Sequence, residues 1–175
     1  MSNELDLASF IRDVPDFPKA GIVFKDITPL LGSSAAFEET VERMAAAFAG
    51  REITKVAGIE SRGFIFGAAL AVQLAAGFVP IRKPKKLPWR TFRHEYELEY
   101  GTDVLEIHDD ALTSGDHVLI VDDVLATGGT GAAARVLVER FGSRVAGLSI
   151  VIELEFLKGR DRLKGFPVHS LIQYR

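Results

Sequence analysis

Four short runs constrain this chain more than any other feature. KVAGIE (55–60), FVPIR (78–82), DHVLIV (116–121) and RVAGLSIVIE (144–153) are apolar at nearly every position, not at alternate ones. A strand covered on one face alternates, whereas one covered on both faces reads as a continuous apolar run. Helical patterns lie between the runs. Phe37, Val41, Met44, Ala45 and Phe48 form one stripe, GFIFGAALAVQLAAG (63–77) is a second helix closed by Gly77, and Thr130–Phe141 is a third. Strand–helix–strand repetition of this kind predicts an α/β fold with a mainly parallel central sheet flanked by helices. Ligands bind such sheets beyond the carboxyl ends of the strands. Glu60, Arg82 and Asp122 all fall at such ends.

The remaining segments read less regularly. Leu7, Phe10, Ile11 and Val14 recur at helical spacing, so a short amphipathic helix is expected there. FPKAGIVFKDITPLL (17–31) carries prolines and a glycine and reads as ordered but irregular, and Ser33 or Ser34 can cap the helix that follows. Lys83 to Arg93 reads as a basic loop. HEYELEY (94–100) and DVLEIH (103–108) alternate around GT and predict a hairpin. The tail from Leu157 suits one more short helix and a strand. The whole, residues 1–175, is read as a single domain.

Composition excludes several classes of function. The chain has no cysteine, which removes disulfides, thiolate catalysis and cysteine-held metals. His94, His108, His117 and His169 are scattered without ligand spacing, so no protein-bound metal is expected. The net charge of -3 disfavours nucleic acid as a partner. MSNELDLASFIRDV has no apolar core of a signal peptide, and the most apolar stretch (63–80) is interrupted by Gln73 and glycines. The expectation is a cytoplasmic protein with no membrane partner.

VLIVDDVLATGGTG (118–131) carries the chemistry. A buried strand ends at two adjacent carboxylates, Asp122 and Asp123. Glycines then let backbone N–H groups turn inward as an anion-binding nest, and the following helix adds its positive N-terminal end. Thr127 and Thr130 add hydroxyls. No lysine follows the glycines, so this is not a nucleoside-triphosphate loop, and a terminal monophosphate suits it. Carboxylates would repel a phosphate, so they are assigned to ribose hydroxyls and to stabilising an oxocarbenium-like sugar.

Two other readings of the stretch exist. The aspartates could simply end a strand and cap a turn. Gly129, Gly131 and Ala134 also satisfy G-x-G-x-x-A, with Glu153 where a dinucleotide fold places its ribose acid, but Asp122 to Gly128 separate the strand from the first glycine. Elsewhere, Arg62 in ESRG (60–63) is a cation at a helix start, where an anion would remove the conflict; a surface arginine is the plain alternative. Arg82, Lys83, Lys85, Lys86, Arg90 and Arg93 form a basic run that is either a solvated face or an anion site.

VLIVDDVLATGGTG resembles the phosphoribosyl pyrophosphate motif of the type I phosphoribosyltransferases. FPKAGIVFKDITPLL, GIESRGFIFG (58–67), IRKPKKLP (81–88), EYELEYGTDVLEIH (95–108) and LKGRDRL (157–163) resemble, in order and spacing, the members of that family that act on adenine. The resemblance implies transfer of a phosphoribosyl group to adenine, yielding AMP and pyrophosphate, with magnesium carried by the substrate phosphates, in a homodimer. It implies a small N-terminal hood (about 1–33) and a mobile hairpin lid (about 83–100). Asp122 and Asp123 would hold the ribose, and Ala126, Thr127, Gly128, Gly129 and Thr130 the 5-phosphate. Ser61, Arg62, Arg82, Lys83 and Lys86 would meet pyrophosphate. Val23 and Lys25 would present backbone to adenine, between Phe24 and Leu125. Glu99 would relay the adenine proton, and Tyr100 would gate. Lys85 stands where this pattern has glycine, and WRTFRH (89–94) departs from it. The alternatives are the same chemistry on another purine, and a non-catalytic regulator that senses phosphoribosyl pyrophosphate.

Overall fold

The computed structural model describes residues 5–97 and 101–175. Strands β1 (Arg12–Pro15) and β2 (Val23–Asp26) form an antiparallel pair, followed by helices α1 (Thr28–Gly32) and α2 (Ser34–Ala46). Then come β3 (Lys55–Ile59), α3 (Gly63–Gln73), β4 (Gly77–Ile81) and an antiparallel hairpin of β5 (Thr91–Glu97) and β6 (Thr102–His108). The chain continues through β7 (His117–Leu125), α4 (Gly129–Glu139), β8 (Arg144–Leu154) and β9 (Val168–Tyr174).

Five strands make the central sheet in the order β4-β3-β7-β8-β9, with every neighbouring pair parallel. Strand β7 shows why the apolar runs are continuous. Val118 and Ile120 join a core with Ala134, Leu137 and Val138 of α4, while Leu119 and Val121 join one with Met44 of α2 and Phe66 and Leu70 of α3. From β3 the chain steps outward to β4, then crosses back to β7 and proceeds to β8 and β9. The reversal opens a crevice between the carboxyl ends of β3 and β7, the usual binding place in such a sheet.

Several expected boundaries shift. The helix over Leu7–Val14 is one 3-10 turn, Leu7–Phe10, capped by Asp6, after which the chain extends into β1. Pairing with β2 wins over helical spacing there, and Arg12 bonds Asp26 at 2.7 Å across the pair. Helix α3 stops at Gln73, short of Gly77; Ala75 takes the left-handed turn (φ 51°) and Gly77 opens β4. The hairpin begins at Thr91, so Thr91–Arg93 belong to a strand and not to the basic loop. Phe92 anchors it, edge-on to Phe141 at 5.2 Å and beneath the Arg140 guanidinium at 4.2 Å. The tail holds two 3-10 turns in place of one helix, Glu155–Leu157 and Gly159–Arg162.

One ion pair fixes that tail. Glu153, 3 % exposed at the end of β8, receives Nε and Nη2 of Arg160 at 2.7 Å each and Ser170 Oγ at 2.5 Å. The Arg160 hydrogen bonds hold the Glu153 carboxyl below its ordinary range. A lowered folded value gives stability that is fully present above the unfolded range and is lost as pH falls through the folded value. Arg160→Ala should cost about 2 kcal/mol at pH 7, less than a fully buried pair because Arg160 is half-exposed. Urea unfolding should show that loss shrinking below pH about 4.5, as Glu153 protonates.

Candidate active site

Strand β7 does not stop at Asp122. It runs through both aspartates to Leu125, and only Ala126, Thr127 and Gly128 separate it from α4. Gly128 takes φ 82°, open to glycine at little cost, and serves as the N-cap of α4. It also lies against the tail. A Cβ at Gly128 would run into the Gly159 carbonyl oxygen, and one at Gly159 would run into the carbonyl of Ala126. The glycine of LKGRDRL is thus the floor on which the loop rests. Asp122, Leu125, Thr127, Gly128 and Thr130 line a cavity of ≈ 70 Å³ here. The first amides of a helix lack intrahelical acceptors, so an anion is favoured at this end of α4.

The acid pair is buried at the crevice. Asp123 is 5 % exposed; Asp122 keeps some surface open to the cavity. Asp122 Oδ1 accepts the Asp123 backbone N–H at 2.9 Å. Helix α3 starts directly against it: a Cβ at Gly63 would sit 2.8 Å from the Val121 carbonyl and 3.0 Å from Asp122 Oδ1. Burial first, and then the charge of Asp123, push the Asp122 carboxyl well above its ordinary range. Burial also raises Asp123, against the pull of the Arg62 guanidinium. Arg62 Nε lies 2.9 Å from Asp123 Oδ2, off the line of a hydrogen bond, so that buried oxygen remains without a hydrogen-bond donor. The cation expected to await an anion at the start of α3 therefore faces the neighbouring acid.

The other expected cations also meet carboxylates. Arg82 Nε donates to Glu60 at 3.0 Å, and Glu60 accepts the Lys83 backbone N–H at 3.0 Å. Burial works against the charge on Glu60, yet these bonds hold its carboxyl below the ordinary range. Lys83 Nζ is held by Asp103. Lys86 gives its carbonyl to Arg82 Nη1 at 3.1 Å. Lys85 adopts φ 65°, the conformation that the glycine of the family pattern would take more easily. Ser61 sits at the turn between β3 and α3.

On the side of β1 and β2, Phe24 packs edge-on against Phe17 at 5.2 Å with the Arg62 guanidinium 4.9 Å above its ring. This brings β2 to the acid pair. The Lys25 side chain is committed elsewhere, to Asp13 at 2.6 Å and over the Tyr174 ring at 3.8 Å. Val23 is half-exposed. Leu125 is buried beside the glycine loop. Glu99 and Tyr100 lie outside the described residues.

Sequence reasoning passed over Tyr96, Asp103 and Gly159. Tyr96 and Asp103 face each other across the hairpin, and Tyr96 Oη shares a hydrogen bond of 3.3 Å with Thr130 Oγ1. A two-residue GT turn would set Tyr100 opposite Asp103, whereas the observed register, Glu97 with Thr102, sets Tyr96 there. The dinucleotide reading fails for a reason other than spacing, since the strand reaches closer to the glycines than expected. Its ribose acid, Glu153, is buried and fully engaged by Arg160 and Ser170.

Comparison with known proteins agrees with this geometry. Residues 31–164 match the model of the phosphoribosyl transferase domain. The chain belongs to the phosphoribosyltransferase family. Its relatives within that family include the adenine phosphoribosyltransferase of Roseiflexus sp. (strain RS-1), 57% identical over 97% of this chain and 98% of that protein. The enzyme of the same name from Thermotoga maritima is 54% identical over 98% and 99%. The crystal structure of adenine phosphoribosyltransferase from Thermoanaerobacter pseudethanolicus superimposes with a TM-score of 0.94 at 53% identity, covering 96% of this chain and 98% of that one. The Saccharomyces cerevisiae enzyme, complexed with an imino-altritol bisphosphate and adenine, superimposes with a TM-score of 0.89 at 42% identity, covering 94% and 96%.

The acid pair makes a measurable demand on stability. The folded value of Asp122 is raised, so its stabilising contribution is present below the unfolded carboxyl range and lost as pH rises through the folded value. Asp122→Asn, melted without substrate, should be more stable than the parent at pH 7, because a neutral amide carries no cost of burying charge. The gain should vanish below pH about 4, where the parent acid is itself neutral.

Proposed function

We propose that this chain condenses adenine with 5-phosphoribosyl 1-pyrophosphate to give AMP and pyrophosphate. The observation that carries the reading is the buried acid pair set between a glycine loop at a helix N-terminus and an arginine. The Ala126–Thr130 loop takes the 5-phosphate, and Asp122 and Asp123 take the ribose hydroxyls. Ser61, Arg62, Arg82, Lys83 and Lys86 receive the pyrophosphate. As the bond from the sugar to pyrophosphate breaks, positive charge spreads over the ring, and the adjacent carboxylates stabilise it in a site of low polarity. Adenine N9 then forms the new bond, and Glu99 takes or relays the proton that the base loses.

Phe24 and Leu125 supply apolar faces for adenine, and Val23 and Lys25 supply backbone groups. The commitment of the Lys25 side chain to Asp13 favours a backbone role for that residue. Residues 1–33 form the hood. Residues 83–100, with Tyr100 as gate, form the lid that excludes water.

Magnesium fits this site as a companion of the substrate. The substrate's phosphate oxygens would be its main ligands, hard donors of the kind it takes. Bound there, it neutralises charge on the diphosphate. Helix α3 exposes Ile65 and Val72, the latter 84% open, and the edge strand β4 beside it exposes Phe78. Such a surface favours a homodimer. No described helix is long and apolar enough to cross a membrane.

The deciding experiment offers adenine, hypoxanthine, guanine and xanthine separately with phosphoribosyl pyrophosphate and magnesium. AMP from adenine alone is the expected result. Product from another base instead would move the specificity to that purine, and binding without product would indicate a sensor. Arg62→Ala should raise KM for phosphoribosyl pyrophosphate about 10- to 100-fold, as loss of a charged hydrogen bond implies. KM for adenine should change far less.

A further inference from the structure

The three carboxylates that hold the proposed pyrophosphate cations are not equivalent. Asp123 is part of the central sheet, and Glu60 also binds the Lys83 backbone, so both are fixed by the fold. Asp103 is different. It lies on β6 close to the hairpin turn, its side chain is 27% exposed, and its Lys83 partner is 39% exposed. Its Oδ1 accepts the neighbouring Val104 N–H at 2.8 Å, while Oδ2 takes both Lys83 Nζ and, at 3.3 Å, Tyr96 Oη. Tyr96 Oη reaches Thr130 Oγ1 in the glycine loop at the same 3.3 Å. A chain of polar contacts thus runs from a lid-root lysine to the loop proposed for the 5-phosphate.

We propose that Asp103 sets the affinity of the pyrophosphate site, because its carboxylate occupies the Lys83 ammonium for which the diphosphate must compete. This rests on the reading that Lys83 binds pyrophosphate. Burial opposes charge on both partners, yet their mutual hydrogen bond raises Lys83 and lowers Asp103, so both are charged at neutral pH. An incoming diphosphate exchanges one anion for another at Lys83. The exchange lowers net affinity and hastens release of the product. Parting the pair disturbs no core contact, which the other two pairs do not allow.

The test titrates magnesium and inorganic pyrophosphate calorimetrically into the parent, Asp103→Asn, Lys83→Ala and the double variant, with ribose 5-phosphate as control. Asp103→Asn should bind pyrophosphate about two- to five-fold more tightly, the size expected of a partly exposed ion pair. Ribose 5-phosphate binding should stay unchanged. In the Lys83→Ala background the same substitution should have no effect. Weaker or unchanged binding in Asp103→Asn, or equal tightening with and without Lys83, would overturn the proposal. Should Lys83→Ala leave pyrophosphate binding intact, the assignment of Lys83 itself fails and the proposal with it. If Lys83→Ala weakens binding while Asp103→Asn does nothing, only the role of Asp103 fails. Asp103→Ala serves the same comparison should the asparagine variant melt early.

Discussion

Two carboxylates buried side by side on the central strand are the constraint around which this molecule is arranged. Removing a carboxylate from water costs several kcal/mol even after relaxation, and a second beside it adds repulsion. The fold offsets part of this cost locally. Asp122 accepts a backbone N–H, the first turn of α3 points at it across Gly63, and Arg62 lies against Asp123. Each device requires a particular residue. Without glycine at position 63 the helix could not approach, and without a cation at 62 one buried charge would stand alone. The ESRG turn and the VDDVLATGGTG turn are therefore one electrostatic unit, split between two strands that the topology makes neighbours.

The same logic extends outward to Arg82 and Lys83, each held by an acid. The cations proposed to receive pyrophosphate would repel one another if left bare. Carboxylates placed among them keep the crevice near neutrality and hold long side chains in defined positions, at the expense of competing with the ligand. The competition is unequal. Glu60 and Asp123 are anchored in the sheet or at its end, whereas Asp103 lies near the turn of the hairpin, with Leu105 and Ile107 beyond it packed in the core and Glu106 bridged to Arg82. The Lys83–Asp103 pair has the most exposed members of the three and is the one most readily opened.

How much of this was legible in the sequence depends on the range of the interaction. The parallel sheet was, because burial on both faces writes itself into consecutive residues such as Val118 to Val121. The glycine loop was, because a left-handed residue at 128 and a helix start at 129 are local events. Boundaries decided by distant partners were not. Leu7 to Val14 has helical spacing, but β2 supplies hydrogen bonds that helical spacing does not reveal. Asp122 and Asp123 look like a strand end because charged residues usually mark one. They continue the strand because β8 pairs with it as far as Glu153. Side-chain pairs across the hairpin, and Gly159 beneath the loop, depend on contacts between segments that local periodicity does not report.

The failure of the dinucleotide reading shows what separates sites that share a strand–turn–helix grammar. Glycines at 128, 129 and 131 would let either kind of phosphate approach the helix, so the loop alone does not discriminate. The acids do. A dinucleotide site needs a carboxylate free at the end of the adjacent strand, and in this chain that carboxylate, Glu153, is consumed in fastening the tail. The tail so fastened carries Gly159 under the loop, and the loop in turn closes against the strand that carries Asp122 and Asp123. The proposed preference for a ribose 5-phosphate over a longer nucleotide rests on which of three carboxylates the fold leaves without an arginine of its own: Glu153 has two full hydrogen bonds from Arg160, Asp123 has Arg62 only off-line, and Asp122 has none that the structure shows.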